Sequence, residues 1–204
     1  MVIEIDTPQG PARAHVDAVA EPVGALVLGH GAGGGVSAPD LVAVSDAARA
    51  QRFSVALVEQ PYRVAGRRSP APAPKLDEAW IAVVNHLRED QLAGLPLIVG
   101  GRSAGARVAC RTAAATDAAA VLCLAFPVHP PGRPEKSRED ELDAVQVPVL
   151  VVQGTADPFG MPSAGSGRKL VKVAGNHSLK GGLDELAAAV REWLPGVVPS
   201  RAGR

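Results

Sequence analysis

The sequence predicts an α/β chain whose sheet is mostly parallel and covered by helices on both faces. Its apolar runs are continuous rather than alternating, as in strands that have no wet face. Helical periodicities fall between those runs, and a strand lying parallel to its neighbour needs a crossover of that kind. The composition agrees: 47% hydrophobic with only 3% aromatic residues suits closely packed helix-on-sheet layers.

Taken in order, residues 13–19 and 25–28 read as strands. A helix is expected to start at "SAPD", with Ser37 as cap and Asp40 completing a capping box. Residues 53–58 form the next strand, and "RRSPAPAPK" reads as a proline-rich loop because apolar periodicity resumes at once beyond it. Leu76, Trp80, Val83 and Leu87 recur at helical spacing. A strand at 97–100 runs straight into a helix over 104–116, and a further strand spans 119–125. The polar segment "EKSREDELD", with Asp140 and Asp143, reads as a solvated helix or turn. Strands at 148–152 and 169–173 follow, and Leu183, Leu186, Val190 and Leu194 mark the last helix. No internal repeat is present, so residues 1–195 are expected to form one domain, with a frayed tail over 196–204.

Charge and cysteine content exclude several functional classes. Lys+Arg and Asp+Glu both number 21, so no global field favours nucleic acid or a membrane surface. The start "MVIEIDTPQG" lacks a basic region followed by an apolar stretch, and no apolar run approaches the roughly 18 residues of a spanning helix, so a cytoplasmic protein is expected. Cys110 and Cys123 lack C-x-x-C spacing and lie in apolar settings, which predicts two reduced, buried thiols and no metal role.

In a parallel sheet the loops that follow the strands gather along one edge, where ligands bind. Here those loops bring His30 with its glycines, Glu59-Gln60-Pro61-Tyr62, Ser103, Pro127-Val128-His129, Asp157 and His177. The most specific of them is "VGGRSAGAR". It places Gly101-Arg102-Ser103-Ala104-Gly105 between strand and helix, the context in which G-x-S-x-G forms a nucleophile elbow. Gly101 and Gly105 would equally let a helix pack closely on its strand. A serine hydroxyl needs a base and an orienting acid, in the chain order Ser, Asp or Glu, His. Asp157 in "QGTADPFG" and His177 in "AGNHSLKGG" each follow a strand and fit that order. His129 is the second candidate for the base, although "FPVHPPG" also suits a rigid pocket wall; His15 and His86 read as structural or exposed.

The stretch "GALVLGHGAGGG" admits two readings. Gly29, Gly31 and Gly34 fit a dinucleotide fingerprint, and Glu59 stands roughly where a ribose-binding acid would. In that motif, however, the third glycine opens a helix, whereas here Gly35 and Val36 precede the expected helix start. Read instead as His30-Gly31-Ala32, the loop suits an oxyanion hole and leaves Ser103, Asp157 and His177 accounted for. The oxyanion reading is preferred, with no cofactor.

His30-Gly31-Ala32, Gly101-Arg102-Ser103-Ala104-Gly105, Gly154-Thr155-Ala156-Asp157 and Asn176-His177 together resemble the α/β-hydrolase superfamily. "EQPYRVAGRRSP" with "GGRSAGAR" is further similar to small bacterial hydrolases related to dienelactone hydrolase, and to a hydrolase-like domain in a subunit of a eukaryotic chromatin-modifying complex. The resemblance implies a three-layer α/β-hydrolase fold and a serine esterase or thioesterase acting through Ser103, His177 and Asp157. It also implies an oxyanion hole formed by the backbone N–H groups of Ala32 and Ala104. Dienelactone hydrolases proper carry a cysteine nucleophile, so their substrate does not transfer to Ser103. His30, Tyr62, Arg102 and His129 are expected to face substrate.

The gap between the strands at 119–125 and 148–152 is short and polar, which predicts no lid domain, an open site and a small or polar acyl substrate. Arg63, Arg67, Arg68, Arg102 and Arg133 belong to segments on the site edge, either facing an anionic substrate or paired with Glu59, Glu135 and Glu139. Three other readings remain open: a non-catalytic interaction module on the same fold, dinucleotide binding through the glycine loop, and acyl transfer or peptide cleavage by the same triad. The oligomeric state is left open.

Overall fold

The computed structural model describes residues 1–198. The strands are β1 (Val2–Ile5), β2 (Ala12–Asp17), β3 (Gly24–Gly29), β4 (Phe53–Glu59), β5 (Leu97–Arg102), β6 (Ala120–Leu124), β7 (Val149–Gly154) and β8 (Arg168–Val173). They form one sheet in the order β1-β2-β4-β3-β5-β6-β7-β8. β3 to β8 run parallel, while β2 is antiparallel to β4 and β1 to β2. The helices are α1 (Pro39–Ala50), α2 (Pro61–Val64), α3 (Ala73–Glu89), α4 (Ala104–Thr112), α5 (Glu139–Asp143) and α6 (Leu183–Trp193).

Side chains alternate across β3. Leu26 and Leu28 enter a core with Leu41 and Val44 of α1 and Leu186 and Val190 of α6. Ala25 and Val27 enter the opposite core with Trp80, Val83 and Leu87 of α3 and Val108 of α4. Both faces are therefore apolar, which is why the strand reads as an unbroken run; each leucine so enclosed contributes about 2 kcal/mol.

The structure corrects several expectations. β1 was not foreseen, because "VIEI" carries no continuous apolar run; it pairs with β2 at the sheet edge, where the Val16 N–H donates to the Met1 carbonyl at 2.8 Å. Ser37 does not cap α1. The cap is Ala38 with Pro39 in the first turn, and Asp40 turns inward, to 0% exposure, instead of completing a capping box. α4 ends at Thr112 rather than Thr116, where the Thr112 hydroxyl donates back to the Val108 carbonyl at 2.7 Å. The polar segment before β7 is tied down along one side, since Glu141 of α5 accepts from Arg107 at 2.8 Å and from Arg111, which also grips Asp77 of α3. Val197 and Val198 pack against the α1–α6 core, so ordered chain passes the boundary expected at 195; residues 199–204 lie outside the described residues.

Cys110 of α4 and Cys123 of β6 are free, buried thiols with their Sγ atoms 3.4 Å apart. The hydrogen bond between them, together with burial, pushes the Cys123 thiol well up. Among the described residues no helix is long and apolar enough to cross a membrane, and no group of His, Cys, Asp and Glu is arranged to hold a metal ion.

Candidate active site

The register aligns Gly29 with Val58 on one side and Gly101 on the other, so β3, β4 and β5 end along one edge. At the end of β5 the chain turns at Ser103, whose φ of 53° and ψ of −108° lie where a side chain is strained. The flanking glycines are sterically required. A Cβ on Gly101 would stand 2.5 Å from the Gly29 carbonyl oxygen, and one on Gly105 would stand 2.4 Å from the same atom. α4 thus seats its first turn against the backbone of β3, and the Ser103 side chain is lifted off the sheet edge.

A second close approach brings the acid and the imidazole together. A Cβ on Gly154 would meet the Asn176 carbonyl oxygen at 2.5 Å, and the Ala156 N–H donates to the Gly175 carbonyl at 2.9 Å. The turn after β7 and the loop after β8 therefore run side by side. His177 Nδ1 lies 2.8 Å from Asp157 Oδ2, and His177 Nε2 lies 2.9 Å from Ser103 Oγ. An ionised carboxylate only accepts, so Nδ1 carries the proton and Nε2 presents its lone pair to the serine hydroxyl. The Phe159 ring packs against the imidazole, with centroids 4.3 Å apart.

The Asp157 carboxyl is fully enclosed and heavily hydrogen-bonded. Besides His177, Oδ2 accepts from Gln153 Nε2 at 2.9 Å, and Oδ1 accepts from the Phe159 N–H at 2.9 Å. The two N–H groups of the same Gln153 amide are shared with the carbonyls of Phe126 at 3.1 Å and Gly160 at 2.9 Å, joining the loops after β6 and β7. Sequence reasoning missed Gln153, although a polar residue inside the apolar run "VPVLVVQG" was its signal.

The loop after β3 is fixed by groups expected to face substrate. His30 is only 3% exposed; its Nε2 accepts from the Gln60 N–H at 3.1 Å, which leaves Nδ1 to donate to the Gly31 carbonyl at 2.8 Å. With both nitrogens engaged, His30 offers nothing to a ligand, and burial lowers its pKa from 6.5. Tyr62 donates its hydroxyl to the Ala32 carbonyl at 3.0 Å, and burial raises that phenol above its ordinary value. Both residues hold the loop. A Cβ on Gly31 would lie 3.6 Å from Ser103 Cβ, which sets the loop beside the serine. Ala104 opens α4, so its N–H has no acceptor within the helix.

Arg102 turns inward as well. Its Nε lies 3.0 Å from Asp40 Oδ2 and its Nη2 donates to the His177 carbonyl at 3.0 Å, with 18% of the side chain exposed. The N–H does not point squarely at Oδ2, so the Asp40 contact is charge pairing rather than a directed hydrogen bond. His129 is not brought to the serine. Its Nδ1 bonds the Pro130 carbonyl at 2.9 Å, and the ring packs at Gly160.

Glu59, the residue that supported a dinucleotide loop, pairs with His15 at 3.0 Å, and α1 opens only at Pro39, five residues beyond Gly34. Glu139 accepts from the Ser163 N–H; neither it nor Glu59 takes an arginine of the edge set. Arg67, Arg68 and Arg133 are exposed.

Solved structures share this architecture. A lidless α/β serine hydrolase from Xanthomonas campestris superposes with a TM-score of 0.79 at 22% identity, covering 98% of this chain and 95% of that one. Est1E from Butyrivibrio proteoclasticus, with ferulic acid bound, gives 0.79 at 19% identity over 96% and 98%. Dienelactone hydrolase from Anabaena variabilis gives 0.79 at 15% identity over 98% of each chain. In keeping with the lidless relative, the connection between β6 and β7 carries only the short helix α5. At these identities the likeness speaks for fold, but residues 22–192 also match the alpha/beta hydrolase domain family, and with most of its length inside that match the chain belongs to that family.

Proposed function

We propose that the protein is a serine hydrolase that cleaves a small or polar carboxylic ester or thioester through a Ser103 acyl-enzyme. The observation that carries this reading is the unbroken chain of hydrogen bonds from Ser103 Oγ through His177 to Asp157, at 2.9 and 2.8 Å. As Ser103 Oγ attacks the substrate carbonyl, its proton passes to His177 Nε2, and Asp157 stabilises the imidazolium. The tetrahedral oxyanion is held by the N–H groups of Ala32 and Ala104, each worth about 3 kcal/mol, with the positive end of α4 behind them. His177 then protonates the departing alcohol or thiol. A water molecule, deprotonated by His177, attacks the acyl carbon, releases the acid and returns the proton to Ser103.

The open edge favours small substrates. With only α5 between β6 and β7, little surface is available to enclose a long acyl chain. Est1E, a structural neighbour, binds ferulic acid, which makes hydroxycinnamate esters reasonable members of a first substrate panel.

The reading is tested with a fluorophosphonate, which phosphonylates activated serines. Intact and peptide mass should show one adduct on Ser103 in the wild type, absent from Ser103→Ala and His177→Ala. A well-folded wild type that takes no label would overturn the reading and favour an interaction module on the same fold.

A further inference from the structure

Arg102 occupies the variable position of G-x-S-x-G, and its guanidinium touches three segments at once. Nε meets Asp40 at the start of α1, Nη2 donates to the His177 carbonyl, and Nη1 lies where a Cβ on Gly31 would be only 2.7 Å away. The start of α1 and the histidine loop are thereby fastened to one rigid, planar group that is itself adjacent in sequence to the serine and lies beside Gly31. Asp40, at 0% exposure, is a costly buried carboxylate whose pKa burial raises. Its side chain otherwise reaches only the N–H of its neighbour Leu41, at 3.0 Å, so its charge is set against Arg102.

We propose that Arg102, held by Asp40, is a positioning residue that keeps His177 in register with Ser103 throughout the reaction, an inference that rests on the hydrolytic reading above. The Ser103–His177 hydrogen bond cannot do this alone, because it is consumed when the proton moves. The bond from Arg102 goes to the backbone carbonyl of His177 and stays intact in every step. The planar fork matters as much as the charge: a lysine ammonium can serve Asp40 or the His177 carbonyl, but not both in one plane.

The test compares wild type, Arg102→Lys, Arg102→Met and the double variant Arg102→Met/Asp40→Leu, each in the full chain. Fluorophosphonate labelling rate, kcat and KM on a p-nitrophenyl ester, and Tm are measured for each. Removing one member of a buried pair strands the other, so Arg102→Met should lose both Tm and rate, whereas the double variant, with no stranded charge, should recover Tm. The proposal expects labelling rate and kcat to stay down by about 10²-fold in the recovered double variant and in Arg102→Lys, with KM little changed, as for a displacement of the base on the ångström scale.

A double variant whose rate recovers along with its Tm would overturn the proposal, since Arg102 would then serve stability alone. So would an Arg102→Lys variant that labels at the wild-type rate. A wild type that takes no label is a separate outcome, which overturns the underlying hydrolytic reading.

Discussion

The imidazole of His30 shows how one buried side chain governs the loop beside Ser103. Its neutral form is the one the fold requires, because one nitrogen must accept from Gln60 while the other donates to Gly31. Burial, the largest influence, lowers its pKa below 6.5, so between that value and the lower native one the unfolded chain binds more protons than the folded chain. The contribution is therefore fully present above pH 6.5 and is lost as pH falls through the lowered native value. Urea midpoints measured at pH 7.5 and pH 5.5 should drop more for the wild type than for His30→Gln, and equal drops would contradict this assignment. Ser103, Asp157 and His177 were legible as candidates because each follows a strand in a recognisable local pattern. The partners of Arg102 and Asp157 were not: Asp40 reaches Arg102 across the fold, which no local spacing encodes, and Gln153, only four residues before Asp157, was masked by the apolar run that contains it. His30, Tyr62 and Arg102 were noticed for the right edge but given the wrong orientation, since sequence does not say which way a side chain at a strand end turns.

Among the elements, α4 is the most exacting. An alanine at Gly105 would gain about 1 kcal/mol of helix propensity. Its Cβ would nevertheless lie 2.4 Å from the Gly29 carbonyl oxygen, with backbone on both sides and no flexible tip to yield. Overpacking in cores costs about 1–3 kcal/mol, and a clash of backbone with backbone belongs at or beyond the upper end of that range. Gly105→Ala should therefore lower Tm and the urea midpoint and abolish fluorophosphonate labelling, whereas propensity alone would raise both stabilities. The strands from β3 to β7 were legible because burial on both faces writes a nearly continuous apolar run; β8, at the sheet edge, was read from Leu170, Val171 and Val173 alone. β1 and α2 were not foreseen as elements, since neither carries an apolar run or a helical period, whereas α5 falls in the segment read as a solvated helix or turn. α1 was foreseen, but its opening was misread: the serine and aspartate of "SAPD" matched a local capping pattern, while the half-buried Arg102 offered Asp40 a stronger tertiary partner.

At the scale of the whole molecule, alternating strands and helices were enough to announce the class, and a short polar gap was enough to announce the missing lid. With no element to swing aside, the proposed hydrolase should show no activation at an interface. Its rate on a short-chain triacylglycerol should rise smoothly through the solubility limit, and a sharp jump there would argue for a hidden moving cover. Assembly of the site has a further consequence, for synthesis. The elbow emerges from the ribosome well before residues 157 and 177, and a serine without its base is a poor nucleophile. A nascent chain that has laid down β3, β4 and β5 thus carries a hydroxyl that is still inert. On the proposed hydrolytic reading, reactivity arrives only when β8 docks on β7 and the Asn176-His177 turn closes over the serine, so latency during translation is built into the order in which the chain is made.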